Sequence, residues 1–543
     1  MDILAVIPAR AGSKGIPRKN VRLMHGKPLI AYALQNAKSC KMITDIVVTT
    51  DDAEVMAIAK IYGVEVIVRS PKLAEDHVTL DPVIHDAVLQ MEQKRGHAYD
   101  IVVTLQATSP LLKSQTLCQA LEEFRKDNKD TYISVTNQAH LSWGKGKDGF
   151  FPHYKERVNR QQLPPDYVEA GAFHITKREF LTANNRIGDQ ISVYEINGTE
   201  AIDIDTIQDW VACEQELRKK RIVFRADGHR ALGMGHIYHC LTLAYRLTGH
   251  DIMFVTNKKY PEGYEKLKGS FLPVHVIEKE EDFYRFLKAF QPDIVVNDCL
   301  NTTKEHIWAL KSLAKKVVTI EDLGEGALYA DAVINALYPV NCPNPNHYVG
   351  AEYACLRDEF LIQTPKPFSE QVNYVLVMFG GTDPLDLTKK VYQLSKELRL
   401  ENPGMEIHFI TGSGYHLDEN IVATQEEEQI YVHRDVSNVA EYMAQADLAF
   451  TSQGRTVFEL AAMGVPAIVL AQNEREQMHD FAQMEHGFLN LGLGSLVSED
   501  TILSTFQWLV HTPQIRKEMQ ELMLKNNLAK GTDRVIDVIL RNA

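Results

Sequence analysis

The stretch I-P-A-R-A-G-S-K-G-I-P-R-K-N, residues 7–20, follows directly on an apolar run and sets Arg10, Lys14, Arg18 and Lys19 around Gly12, Ser13 and Gly15. Residues 2–7 read as a first buried strand, so this loop leaves the carboxyl end of a strand. Glycines let backbone N–H groups turn toward an anion, and the cationic side chains neutralise its charge. The loop reads as a triphosphate cradle; a plain basic surface loop is the alternative that the cluster by itself leaves open. It carries neither the G-x-x-x-x-G-K-[ST] spacing of a P-loop nor the G-x-G-x-x-G of a dinucleotide fold.

Outward from this loop, residues 1–220 alternate short β-rich runs (46–50, 64–68, 101–105, 133–135) with helical periodicity. That alternation predicts a parallel sheet covered by helices, with ligands at the carboxyl ends of its strands. L-Q-A-T-S-P (105–110) falls at such an end, and on chemistry alone is also an ordinary polar turn. In R-V-N-R-Q-Q-L-P-P-D-Y-V-E-A-G-A-F-H-I (157–175), two arginines precede a Pro-Pro turn and a small A-G-A run. This places cations beside a closely approached pocket floor, or else forms an exposed loop. In A-I-D-I-D-T-I-Q-D-W (201–210), Asp203 and Asp205 are two apart and in an extended strand would share a side. Paired carboxylates suit Mg²⁺ bridged to phosphate. Asp205 and Thr206 also read as the cap of a helix starting near Ile207, and both roles can hold.

Taken together these strings resemble the CMP-sialic acid synthetases, the acylneuraminate cytidylyltransferases. The resemblance implies a nucleotidyltransferase Rossmann-like (GT-A-like) domain in which Arg10, Ser13, Lys14, Lys19 and Asn20 hold CTP, with Lys14 and Lys19 as catalytic cations. It places Gln106 and Ser109 along the nucleotide and sugar site, with Arg69 and Asp76 of R-S-P-K-L-A-E-D near it. Arg157, Arg160 and Gln162 become candidates for the sugar carboxylate, and Asp203 and Asp205 the site of Mg²⁺ or Mn²⁺. Leu112 stands where the family often has an arginine. The implied reaction joins CTP to a nonulosonic acid, and a homo-oligomer through this domain is expected.

The bulk properties bound the rest. A chain of 543 residues suggests about three globular units at roughly 100 to 200 residues each. A formal net charge of −14 argues against a nucleic-acid binder, which needs excess cations. No apolar run approaches the roughly 20 residues that cross a bilayer, and the start lacks a signal-peptide pattern. The 7 cysteines are scattered, with no C-x-x-C pair, so neither a disulfide framework nor a zinc site is indicated. A cytoplasmic setting without membrane partners is expected.

From residue 221 the pattern restarts with a strand near Ile222, then R-A-D-G-H-R-A-L-G-M-G-H-I-Y-H-C-L-T-L-A, a glycine-rich loop entering an amphipathic helix. Its histidine, His236, sits at the helix start beside glycines that admit a ligand, a possible base as well as a possible structural residue. Further on, 448–451 reads as a strand, 452–456 as a turn and 457–463 as a helix whose free N–H groups face a docking diphosphate. Glu459, one turn inside, would accept from ribose hydroxyls; capping by Ser452 and a solvated Glu459 is the plainer reading. Gly380 and Gly381 follow another strand and offer a second close-approach loop.

These motifs, with I-E-D-L-G-E-G (320–326), A-D-A-V-I-N (330–335), Y-A-C-L-R-D-E-F (353–360), F-G-G-T-D-P (379–384) and T-S-Q-G-R-T-V-F-E-L-A-A-M-G-V-P (451–466), resemble the nucleotide-sugar hydrolases of pseudaminic acid biosynthesis and the related spore-coat polysaccharide proteins. The resemblance implies a two-lobed GT-B-like domain, lobes 221–367 and 368–543, binding a UDP-sugar through Gly380, Gly381, Ser452, Gly454, Thr456 and Glu459, with His236 catalytic. His239 replaces the arginine usual before the helix cysteine. The whole chain is thus expected to be α/β, a cytidylyltransferase fused to a UDP-sugar hydrolase. A glycosyltransferase or a non-catalytic nucleotide-sugar-binding module remains the alternative for the second half. The first half's G-S-K-G resembles the sialic and legionaminic synthetases more than the pseudaminic ones, so the sugar stays open at this point.

Overall fold

The computed structural model describes the chain apart from residues 13–14, 197, 229–232, 340–343, 413, 416–428 and 543. It divides into two compact units, Met1–Lys219 and Lys220–Ala543.

In the first unit seven strands form one sheet: β1 (Ile3–Pro8), β2 (Asp45–Thr50), β3 (Glu65–Val68), β4 (Ile101–Leu105), β5 (Thr131–Asn137), β6 (Tyr167–Lys177) and β7 (Ile191–Glu195), in the order β7-β5-β6-β4-β1-β2-β3. The apolar run of β1 is continuous because both of its faces are covered. Ile3, Ala5 and Ile7 pack with Ile30 and Leu34 of α1 (Leu29–Ser39), while Leu4 and Val6 pack with Ile84 and Val88 of α2 (Leu80–Arg95). A run without alternation is what burial on two faces demands. The expectation of a parallel sheet is corrected at one strand: β6 runs antiparallel to both β4 and β5. A second correction concerns A-G-A, which lies inside β6, at a register shift between Glu169 and His174, rather than before a strand. Gly171 takes φ +68° there, a conformation that glycine adopts at little cost.

The second unit holds two wholly parallel sheets. The first contains β8 (Arg221–Ala226), β9 (Asp251–Asn257), β10 (Val274–Ile277), β11 (Ile294–Asp298), β12 (Lys316–Ile320), β13 (Ala332–Asn335) and β14 (His347–Val349), in the order β10-β9-β8-β11-β12-β13-β14. The second contains β15 (Tyr374–Met378), β16 (Glu406–Thr411), β17 (Ile430–Arg434), β18 (Leu448–Thr451), β19 (Ala467–Ala471) and β20 (Phe488–Leu493), in the order β17-β16-β15-β18-β19-β20. Each sheet changes winding direction beside its first strand, where open α/β sheets take ligands. This is the two-lobed GT-B-like architecture. The last helix crosses back: Val535, Val538 and Ile539 are buried in the first lobe's core beside Phe224 and Val296. At about 1.5–3 kcal/mol for each such side chain, this tether holds the end of the chain outside the span 368–543 expected for the second lobe. Among the described residues no helix is long and apolar enough to cross a membrane.

Candidate functional sites

At the carboxyl ends of β1 and β4 a cavity of about 410 Å³ is lined by Arg10, Lys19, Asn20, Arg69, Gln106 and Asp205, among others. Ser13 and Lys14 lie outside the described residues. Each remaining cation is held by an oxygen of the protein. The Arg10 Nη1 donates to Asp76 Oδ1 at 2.8 Å. Lys19 Nζ donates to the Ile204 carbonyl at 2.5 Å and stands 3.4 Å from Asp205 Oδ1. Asn20 Nδ2 donates to the Arg10 carbonyl, which fixes the loop. Arg69 is 5% exposed and donates through Nη2 to the Thr49 carbonyl, with Nε buried and unpartnered. Burial lowers its pKa from the ordinary guanidinium value, and neighbouring Arg10 lowers it further, against Asp51. These oxygens are the kind a polyphosphate would displace.

Two glycines set the depth of the cavity. A Cβ on Gly15 would lie 2.4 Å from the Asp205 carbonyl, so only glycine lets the basic loop meet the Asp203–Asp205 segment. A Cβ on Gly171 would lie 2.9 Å from Asp203 Oδ2 and 3.3 Å from Gln106 Nε2, which makes the A-G-A bulge the wall behind both groups.

Asp203 and Asp205 stand on an irregular segment rather than a strand, immediately before α3 (Ile207–Leu217). The cap of α3 is Thr206, paired reciprocally with Asp209; Asp205 takes no part through its side chain. The two carboxylates therefore differ. Asp205 is exposed, whereas Asp203 has Oδ1 buried without a hydrogen-bond partner among the described residues. Burial raises the Asp203 pKa, the Thr108 hydroxyl opposes this, and nearby Asp205 adds to it. An orphaned buried carboxylate oxygen beside a second carboxylate fits a divalent cation. Among the described residues no cluster of three His, Cys, Asp or Glu could hold one alone. Further ligands would come from phosphate and water, as is usual for Mg²⁺.

Several expected residues stand elsewhere. Arg157, Arg160 and Gln162 are exposed, the last two in a short 3₁₀ turn, and none lines the cavity. The prolines and polar residues of that loop supply no apolar face to draw it onto the sheet. Ser109 is buried behind the cavity rather than lining it. Leu112 is a core residue, 4% exposed, so the departure there is filled by packing.

In the second unit the glycine-rich turn enters α4 (Gly235–Arg246), where His236 is buried near the first position. Its Nδ1 lies 2.6 Å from Oδ1 of Asp298, the last residue of β11. One turn on, His239 Nδ1 is 3.3 Å from Asp298 Oδ2, and the Cys240 thiol donates to the same oxygen. Burial alone would lower the His236 pKa; the Asp298 carboxylate outweighs it and raises the value above 6.5. His239 instead is pushed down to about 4 by burial and by Arg455, so it is neutral.

The second lobe meets this turn. A Cβ on Gly381 would sit 3.6 Å from Met234, and one on Gly235 would sit 3.9 Å from Arg455. Arg455 pairs with buried Glu321 of the first lobe at 2.8 Å and donates to His239 Nδ1 at 3.3 Å. Arg475 donates to the Tyr338 hydroxyl and to Asn301 Oδ1. The structure thus gathers His236, Gly380, Gly381 and the 452–456 turn on one cleft. α5 (Thr456–Met463) begins one residue before the expected helix, with Arg455 rather than Ser452 at its cap position. Glu459 is paired rather than solvated: Arg357 donates to its Oε1 at 3.0 and 3.1 Å. Gly454 and Thr456 remain at the turn. Asp298 and Arg475 are absent from the sequence reading, while Glu321 and Arg455 lie inside the motifs I-E-D-L-G-E-G and T-S-Q-G-R-T without a role assigned to them there.

The first unit is thus a nucleotidyltransferase sheet with a basic cavity at its strand ends. The chain belongs to the cytidylyltransferase family, whose model matches residues 4–224. A model of the glycosyltransferase family 28 C-terminal domain matches residues 375–533. A pseudaminic acid cytidylyltransferase of Campylobacter jejuni subsp. jejuni is 34% identical over 226 residues, spanning 38% of this chain and 93% of that protein. An N-acylneuraminate cytidylyltransferase A of Danio rerio is 30% identical over 40% of this chain and 50% of its own length. A Helicobacter pylori protein named pseudaminic acid cytidylyltransferase and UDP-2,4-diacetamido-2,4,6-trideoxy-beta-L-altropyranose hydrolase is 24% identical over 93% of this chain and 94% of its own length.

Proposed function

We propose that this chain is a bifunctional enzyme of nonulosonic acid biosynthesis: its first unit converts CTP and a nonulosonic acid to CMP-nonulosonate and pyrophosphate, and its second hydrolyses a UDP-diacetamido sugar to free sugar and UDP. The observation that carries the first activity is the cavity that gathers Arg10, Lys19, Arg69, Gln106 and Asp205 at the strand ends. The pseudaminic type of acid, and the altropyranose type of UDP-sugar, are favoured by the Campylobacter and Helicobacter relatives over the sialic type suggested by G-S-K-G.

In cytidylyl transfer the anomeric hydroxyl oxygen of the acid bonds to the α-phosphorus of CTP, its O–H bond breaks with the proton passing to solvent, the bond to the β-phosphate oxygen breaks, and pyrophosphate leaves. Arg10, Lys19 and Arg69 would exchange their protein oxygens for phosphate oxygens and absorb the charge that develops. Gly15 and Gly171 hold the walls close enough to position both substrates. Asp203 and Asp205 would hold Mg²⁺ or Mn²⁺, which supplies further charge neutralisation at the phosphates. In hydrolysis the oxygen of water bonds to the anomeric carbon, the bond to the diphosphate oxygen breaks, UDP leaves, and the water proton passes to His236.

The reading extends to a cytoplasmic enzyme that associates through its first unit. Trp143, Phe150 and Phe151 on the hairpin of Trp143–Gly146 and Gly149–Pro152 are 55%, 72% and 50% exposed, apolar surface of the kind that contacts between copies cover. The glycosyltransferase model match leaves transfer to a sugar acceptor as the second reading for residues 220–543. The full chain, given CTP and pseudaminic acid with Mg²⁺, is expected to release CMP-sugar and pyrophosphate. Given the UDP-sugar it is expected to release UDP at a rate unchanged by added acceptors. UDP release only with an acceptor would favour the transferase.

A further inference from the structure

We infer that Asp298 is the positioning residue of the hydrolytic site, holding His236 with its proton on Nδ1 so that Nε2 takes the proton of the attacking water. The inference rests on the hydrolase reading above and adds a residue to it.

Asp298 is 1% exposed, and the side-chain polar atoms closest to it among the described residues come from one stretch of α4: His236 and Cys240 as hydrogen-bond partners, and His239 Nδ1 at 3.3 Å. No lysine or arginine among the described residues lies within ion-pair distance of it. A buried carboxylate partnered in this way is a weak source of stability, since its desolvation costs several kcal/mol and a neutral imidazole repays little. The fold nevertheless brings it there with two independent devices. Parallel pairing of β8 and β11 sets Asp298 opposite Ala226 at the very end of the strand, level with the turn that starts α4. The 3.6-residue helical period then aims positions 236, 239 and 240 at the same carboxylate.

The asymmetry of the contacts assigns the roles. The oxygen at 2.6 Å from His236 makes a short, charge-assisted bond, while the one shared by His239 and Cys240 lies at 3.3 and 3.4 Å. His239 Nδ1 accepts from Arg455 of the opposite lobe and so has no proton to give Asp298, and its Nε2 is buried without a partner among the described residues. His239 has no route to a substrate. His236 has one nitrogen committed to Asp298 and the other without a partner among the described residues, which is the arrangement of a base whose tautomer is set by its second contact. When Nε2 gains a proton, the carboxylate stabilises the resulting imidazolium without moving, as in a Ser-His-Asp triad.

The test uses the full-length chain. In ¹⁵N-histidine-labelled protein, with the signal identified by its loss in His236→Asn, His236 is expected to carry its proton on Nδ1 above its pKa. A proton found on Nε2 would overturn the assignment without any variant of Asp298. Asp298→Asn is expected to lower kcat for UDP release about a hundredfold or more, on the scale of losing a general base, with KM for the UDP-sugar changed little. The acid limb of the remaining pH profile should move to lower pH, because the carboxylate no longer favours the imidazolium. Asp298→Glu should restore part of kcat. An Asp298→Asn protein that binds UDP normally and keeps both the wild-type kcat and the wild-type acid limb would overturn it. Retention of hydrolysis by His236→Asn would instead remove the base, and the tautomer measurement would stand apart from that loss.

Discussion

The two sites of this chain handle charge in opposite ways. In the first unit Arg10 and Lys19 are partly exposed, Arg69 is buried, and each rests on an oxygen it can exchange, as Arg10 does on Asp76 and Lys19 on the Ile204 carbonyl. In the second the charges are buried and paired with one another, His236 with Asp298 inside the first lobe and Arg455 with Glu321 between the lobes. An open basic cavity suits a ligand that brings several negative charges and a counterion of its own. A buried histidine held by a carboxylate suits proton transfer, where a fixed geometry matters more than net charge. Positioning in the first site comes from glycines that allow close walls, and in the second from a strand end set level with a helix turn.

The sharpest way to break this comparison is to remove the base. His236→Asn should reduce UDP release about a hundredfold or more while UDP binding and CMP-sugar formation stay near wild type. In the unaltered enzyme the sign of the pH dependence follows from the raised His236 value: hydrolysis needs the neutral imidazole, so it should fall as pH drops through a point above 6.5. A limb well below 6.5 would contradict the role given to the Asp298 charge.

Next in size is the carboxylate pair. Asp203→Asn should lower cytidylyl transfer tenfold or more, the scale of damaging a metal site, and raise the divalent ion concentration needed for half-maximal rate. UDP release should not change. If transfer by the variant ran at full rate in excess chelator, the cation would have no place in the first site.

A smaller effect is expected from the wall. Gly171→Val meets both Asp203 and Gln106 and must hold φ near +68°, a strain on the order of 1–3 kcal/mol. The thermal transition of the first unit should fall, and KM for the acid should rise more than KM for UDP-sugar hydrolysis, which should stay constant. The smallest effect belongs to Arg160. As an exposed side chain outside the cavity, its replacement by Gln should change either KM by no more than about fivefold, the range of surface charges. A larger rise confined to the acid would bring that loop into the site.

The same contrast explains what the sequence made legible. Motifs whose chemistry is local were readable: glycines and cations within 7–20, the A-G-A run, the G-M-G-H turn. The strand at 101–105 and that at 448–451 were readable to the residue because continuous apolar runs flanked by polar turns leave little choice. Asp298 was not, since nothing within I-V-V-N-D marks its last residue as partner to a histidine 62 positions earlier. The reversal of β6 was hidden for a related reason: direction within a sheet is decided by the connections rather than by the residues of the strand. That Asp203 and Asp205 share a side was anticipated from a strand period that the segment does not adopt; Gly15 instead packs on the Asp205 carbonyl and Gly171 on the Asp203 carboxylate. The contact of Glu459 with Arg357 was hidden because the two lie 102 residues apart.

The central claim is that two independent chemistries reside in one chain, and one mixed assay tests it directly. The wild-type chain, His236→Asn and Asp203→Asn are each incubated with CTP, pseudaminic acid, Mg²⁺ and the UDP-diacetamido sugar, and CMP-sugar and UDP are quantified in the same sample. The account predicts that wild type forms both products, that His236→Asn forms CMP-sugar at the wild-type rate with UDP release at background, and that Asp203→Asn does the reverse. A variant that loses both products together, or a wild-type chain that releases no UDP, would contradict it.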